Sequence, residues 1–134
     1  MCSSDLHLEK YADAEKLQIQ VLDTRIKLLG EKHPSTITAM SNLAVINENL
    51  GKYGDAKKLQ IKVLNMRNRL LGGDHPDTIS AMNNLAATYM SLEKYADAEK
   101  LQIEVFDMRS RLLGEEHPDT ISAMNNLAAI YMSL

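Results

Sequence analysis

Apolar side chains recur along this chain at helical spacing, and they do so in two alternating patterns. From residue 35, Ala39, Met40, Leu43, Ile46, Asn47 and Leu50 fall in one arc at about 100° per residue, with Ile37 and Ala44 at its edge. Nearly half of the circumference is then buried, wide enough for a helix with neighbours on both sides, as in stacked hairpins. The remaining arc is narrow and polar: Thr38, Ser41, Asn42, Val45, Glu48 and Asn49. The second pattern precedes it. Over residues 11 to 29, Tyr11, Ala14, Leu17, Val21, Leu22, Leu28 and Leu29 read as an inward face, and Asp13, Lys16, Gln20, Asp23 and Lys27 as the wet one. We call the first type inner and the second outer.

Both patterns repeat. LLGEKHPSTITAMSNLA from Leu28 returns as LLGGDHPDTISAMNNLA from Leu70 and LLGEEHPDTISAMNNLA from Leu112, each 42 residues on. KYADAEKLQI from Lys10 returns as KYGDAKKLQI from Lys52 and KYADAEKLQI from Lys94, with the same period of 42. Residues 9–134 are therefore one repeat domain, and residues 1–8 read as the remnant of an inner helix or a disordered N-terminus.

Breakers set the helix limits. Pro34, Pro76 and Pro118 start inner helices at 35–50, 77–92 and 119–134, because proline fits only the first helical turn. Gly30, Gly72 and Gly114 follow the last leucine of outer helices at 11–29, 53–71 and 95–113, where a cap with positive φ suits a residue lacking Cβ. At 1.5 Å per residue the two types are roughly 24 and 28 Å long, and the short links make antiparallel hairpins.

Polar residues interrupt the apolar side of the outer helices at Gln18 and Arg25, Gln60 and Arg67, and Gln102 and Arg109. A guanidinium there needs acceptors. Arg25, Arg67 and Arg109 are therefore expected to be structural latches onto helix-end carbonyls or the adjoining loop, with ligand binding as the alternative.

A composition of 45% apolar and 25% charged residues is that of a globular domain, and one with a single Phe and no Trp builds its core from Leu, Ile, Ala and Met. A net charge of -3 offers no basic stripe, so nucleic acid is not an expected partner. Residues 51 to 72 are the exception, with Lys52, Lys57, Lys58, Lys62, Arg67 and Arg69 against Asp55 alone; a solvated helix face is the first reading, a binding patch the second. No apolar run approaches the ~18 residues of a membrane span. The single Cys2 cannot form an internal disulfide, which suggests a reducing, cytoplasmic setting.

Little points to catalysis. His33, His75 and His117 occupy the same joint of successive repeats. Packed helices lie about 8–10 Å apart, too far for equivalent atoms to share a metal that needs donors near 2 Å. Capping or loop packing is the simpler role. There is no phosphate-binding glycine loop and no nucleophile motif, so neither an enzyme, a metal nor a cofactor is expected.

The residues now reach a known pattern. Asn84, Leu85, Ala86 and Tyr89 on the inner helix, Lys94, Tyr95 and Ala98 opening the outer one, and the Leu-Gly-x-x-His-Pro joint resemble the tetratricopeptide superfamily. The long repeat is similar to that of kinesin light chains and many-repeat signalling-protein arrays. The resemblance implies an all-α solenoid of stacked antiparallel hairpins, a right-handed superhelix whose inner helices line a concave groove for an extended peptide. It thereby assigns partner binding to Thr38, Ser41, Asn42 and Val45, to Ser80, Asn83, Asn84, Ala87 and Met90, and to Ser122, Asn125, Asn126, Ala129 and Met132. Relatives that clamp peptide carboxylates use Lys and Arg on this face, and here there are none. Asn47 and Glu48 replace the Tyr and Met of later repeats, making that end of the groove more polar.

The expected function is thus a non-catalytic scaffold for a protein or peptide segment. Two alternatives stand beside it: a structural unit that stacks head to tail with its own copies, and a sensor array belonging to a larger signalling NTPase. Stacking is expected because residue 9 is the in-register successor of residue 134, so the helix at 119–134 would meet the helix at 11–29 of another copy.

Overall fold

The computed structural model describes the backbone of residues 3–134, with side chains from Leu6 onward. Met1 and Cys2, and with them the start of the expected remnant, lie outside the described residues. Six helices and no strand occur among the described residues: α1 (Ser3–Leu29), α2 (Pro34–Asn49), α3 (Tyr53–Leu71), α4 (Pro76–Ser91), α5 (Tyr95–Leu113) and α6 (Pro118–Ser133). The chain forms two compact units, Met1–Met66 and Arg67–Leu134. In the first, α1 packs on α2; in the second, α5 packs on both α4 and α6.

The inner helices begin through one device used three times. His33, His75 and His117 are the N-cap residues, extended at φ -68°, -70° and -67°. Each imidazole Nδ1 accepts a hydrogen bond from the backbone N–H two residues on, from Ser35 at 3.1 Å, Asp77 at 3.0 Å and Asp119 at 3.1 Å. The intervening proline has no N–H to satisfy. The histidines thus do the work usually given to Ser or Asp at this position.

The outer helices end at glycine. Gly114 has φ 91° and ψ 159°, backbone essentially closed to other residues, and its N–H donates to Ser110 O at 3.1 Å. Helices α2 and α4 end differently, on the paired bonds of a Schellman motif. Gly51 N–H donates to Glu48 O at 3.0 Å and Lys52 N–H to Asn47 O at 2.8 Å; Glu93 and Lys94 repeat this on Met90 and Tyr89 at 3.0 and 2.8 Å. Glu93 therefore holds φ 61° without being glycine.

The same register at the N-terminal end behaves otherwise. Where the sequence reading separates residues 1–8 from a helix beginning at 11, α1 runs unbroken from Ser3 through Glu9 and Lys10 to Leu29. Glu9 is the counterpart of Gly51 and Glu93, but continuing the helix avoids the left-handed conformation, which costs an L-residue about 1–2 kcal/mol.

Alanines let the helices approach closely: Ala39 and Ala56 in the first unit and Ala81, Ala98 and Ala123 in the second are buried. Ile37, Met40 and Leu43, and Ile79, Met82 and Leu85, fill the space around them. Leu17, Leu28 and Leu29 depart from the expected inward face and are largely exposed, as are Leu70, Leu71, Leu112 and Leu113. The α3 and α5 helices have 19 residues against 16 in α2, α4 and α6. They are thus longer by about 4.5 Å. Thr36, Thr78 and Thr120, in the first turns of the inner helices, are buried as well.

Candidate partner-binding face

The narrow polar arc of the inner helices stays open to solvent. On α2, Thr38, Asn42 and Val45 are exposed and Ser41 is half-buried. On α4, Ser80, Asn84 and Ala87 are exposed with Asn83 and Met90 half-buried; on α6, Ser122, Asn125, Ala129 and Met132 are exposed with Asn126 half-buried. The cause is the residue order: with buried Ala81, Met82, Leu85 and Ala86 on one side of α4, positions 80, 83, 84 and 87 must turn away from them.

Five of these residues come together in the second unit. Asn83, Ala87, Met90, Asn126 and Ala129 surround an open cleft of about 200 Å³, floored by Ala86, Gln102 and Ile130. Asn126 Nδ2 donates to Asn83 Oδ1 across it at 3.4 Å, a stretched bond that is readily exchanged. That bond does not use the Asn83 amide N–H groups or the Asn126 carbonyl oxygen. No charged residue lines the cleft. Its chemistry is a neutral amide pair above small apolar side chains. Ser80 belongs instead to a second hollow of about 280 Å³ at the joint, with Arg109, Leu112 and Leu113. Asn84, Ser122, Asn125 and Met132 line neither. The α2 residues belong to the first unit.

Gln102 is the floor residue that the sequence reading did not assign to the site. Its side chain is buried, and its Nε2 donates to Ala123 O in the middle of α6 at 3.4 Å. Gln18 makes the corresponding bond to Ala39 O at 3.3 Å. The signal was present as a polar residue recurring on an apolar helix face; what it contacts was not.

The three arginines reach the first turn of the following inner helix. Arg25 Nη1 donates to Ser35 O at 2.8 Å, Arg67 Nη1 to Asp77 O at 3.4 Å and Arg109 Nη1 to Asp119 O at 3.3 Å. Each acceptor lies two residues beyond the histidine cap. The joint is thus held from both sides, by a ring nitrogen on the backbone N–H and a guanidinium on the C=O of the same residue. A surface pair adds to this in the first unit, where Lys52 Nζ sits 2.9 Å from Glu15 Oε1. Among the described residues no cluster of His, Cys, Asp and Glu is placed to hold a metal ion. Among the same residues no helix is long and apolar enough to cross a membrane.

A family model for the tetratricopeptide repeat matches residues 6–35, 36–77 and 78–119. In structure, the chain is similar to a putative kinesin light chain of Podosopora anserina with nearly identical TPR-like repeats. That crystal structure superposes with a TM-score of 0.86 at 23% identity, over 97% of this chain and 63% of the other. A single-substitution variant of the same protein gives 0.86 at 25% identity, over 97% and 62%. BtubC (BKLC) from P. vanneervenii gives 0.80 at 26% identity, over 97% of this chain and 52% of that one. The chain thus spans less than two thirds of the length of these structures. No curated protein matches it in sequence.

Proposed function

The chain belongs to the tetratricopeptide-repeat family, whose members are generally protein-interaction scaffolds, and from that premise we propose that it binds an extended, uncharged peptide segment on the solvent-facing arc of its inner helices. The observation that carries this reading is the cleft between α4 and α6. Its rim is an amide pair able to donate to a peptide C=O and accept from a peptide N–H, which holds a backbone regardless of side chain. Its small apolar lining of Ala86, Ala87, Ala129 and Ile130 takes a small aliphatic residue. The absence of any charge on the lining gives no counter-ion to a peptide carboxylate or a lysine, and burying either one unpaired is costly.

Peptides selected by display against the whole chain provide the test. Their affinity should fall about tenfold or more for the paired change Asn83→Ala with Asn126→Ala, the loss of one or two hydrogen bonds at about 1 kcal/mol each. Circular dichroism should show unchanged helicity, because both side chains are at least partly exposed. Selected peptides that bind the double variant as tightly as the parent would remove the cleft as the binding site. So would a selection dominated by acidic or basic sequences.

A further inference from the structure

The hollow of about 280 Å³ at the joint of α4, α5 and α6 shares no lining residue with the cleft. Its apolar wall is Pro76 and Ile79 from the start of α4 and Leu112 and Leu113 from the end of α5. The two leucines are 51% and 45% exposed. Leu70 and Leu71, which end α3 in the interior of the chain, are 50% and 44% exposed, so open leucines belong to the end of an outer helix in this repeat. The volume lies just under the ~300–1,000 Å³ of small-molecule sites and suits a side chain of a larger partner.

The rim of this hollow is acidic. Asp74 and Asp119 line it, and the same two joints carry the exposed Asp77, Glu115 and Glu116. Among the described residues Asp74, Glu115 and Glu116 have no ion-pair partner, and Asp119 has only the His117 ring, 4.0 Å away. The one cation in the lining, Arg109, donates to the Asp119 backbone carbonyl at 3.3 Å. The joint at residues 30–35 has the same Leu-Gly-x-x-His-Pro frame but a different charge: Lys32 stands where the later joints have Asp74 and Glu116, and Ser35 where they have Asp77 and Asp119. The negative charge is thus particular to the second and third joints and is not required by the frame.

We propose that this hollow docks a basic amphipathic segment of a partner protein, which seats a leucine-sized side chain on Leu112, Leu113 and Ile79 and sets Lys or Arg against Asp74 and Asp119. Charge complementarity selects the occupant. An acidic segment or a nucleic-acid phosphate meets like charge at every rim carboxylate, whereas a basic one gains at each and is drawn in from a distance. The apolar wall then supplies the contact that holds it, because a solvent-exposed ion pair alone contributes little. The site differs in chemistry from the uncharged cleft, and it stands or falls independently of peptide binding there.

A synthetic amphipathic peptide of Leu and Lys is the probe, with a Glu-for-Lys and an Ala-for-Leu version as its controls, titrated by fluorescence anisotropy into the whole chain. The Leu/Lys peptide should bind, and both controls should bind at least about tenfold more weakly. Asp74→Asn combined with Asp119→Asn should raise its Kd about fivefold, the order of two exposed charge contacts. Asp55→Asn combined with Asp97→Asn removes the same charge from exposed positions elsewhere and should leave the Kd within about twofold. Leu112→Ser should raise it about tenfold with unchanged circular dichroism, since that side chain is half open to solvent already. In methyl NMR the peptide should shift Leu112 and Leu113 and leave Ala87 and Ala129 of the cleft in place. Absence of binding at about 1 mM peptide overturns the proposal. So does an equal loss from the two aspartate pairs, which would mean attraction to net charge alone, and so do methyl shifts confined to the cleft or equal affinity for the Glu or Ala version.

Discussion

Replacing Glu93 by glycine should make this protein more stable, and replacing Gly51 by glutamate should make it less so. Both residues occupy the C′ position of a Schellman motif with the same pair of backbone bonds, at 3.0 and 2.8 Å, and with φ of 61° and 77°. An L-residue held there costs about 1–2 kcal/mol. Glycine escapes that cost but loses more freedom on folding, by about 0.4–1 kcal/mol. The difference leaves Glu93→Gly stabilising by about 0.5–1 kcal/mol. No heavy atom lies within 4 Å of a Cβ built on Gly51, so Gly51→Glu carries no added clash and should be destabilising by a similar amount. For 134 residues at about 2.1 cal/mol/K each, 0.75 kcal/mol corresponds to a Tm shift of about 3 °C. Glu9 supplies the internal control. It shares the register of Glu93 but lies within the helical span of α1, where glycine costs about 1 kcal/mol, so Glu9→Gly should lower helicity at the N-terminal end. Urea unfolding followed by circular dichroism reads all three. A Glu93→Gly midpoint at or below that of the parent would refute the reasoning, as would a gain in helicity from Glu9→Gly.

Two further outcomes follow from the joints and the first turns. Arg25→Ala should cost about 1–3 kcal/mol, more than Arg67→Ala or Arg109→Ala, because its bond to a backbone carbonyl is 2.8 Å and part-buried while theirs are 3.4 and 3.3 Å and exposed; equal denaturation midpoints for the three variants would contradict this ranking. Thr78→Val should stabilise by about 1 kcal/mol, since the Thr78 hydroxyl is buried without a hydrogen-bond partner among the described residues and valine keeps its shape; a lower melting temperature would show that the hydroxyl is satisfied after all.

The helices were legible because their ends are written in local chemistry. The breaker residues predict outer helices at 53–71 and 95–113, which are the observed limits of α3 and α5, and inner helices that differ from the observed ones by one residue at each end. That one residue is the proline itself, which sits inside the first turn with histidine as its cap. The expected start at 11 missed the helical stretch from Ser3 because residue 9 lacks the glycine that signals a turn at Gly51, and a glutamate in that register is compatible with either a left-handed cap or continued helix. Likewise the polar arc was visible as a periodicity, but that Asn83 would face Asn126, one position out of register with its own repeat counterpart Asn125, depends on how α4 and α6 lie beside each other.

Sequence alone determined the repeat, the two helix types and the stripe of small apolar residues that must be buried, since these depend on spacing and on backbone preferences within a few residues. Which copies of an identical residue are covered depends instead on their neighbours in the fold. Met82 and Met124 stand in the same twelve-residue string and differ from 7% to 46% exposure, and Ala14 and Ala98 in the same ten-residue string differ likewise. Burial is a property of the neighbour that packs on a residue, and in a repeat the neighbour changes from one position to the next while the residue does not.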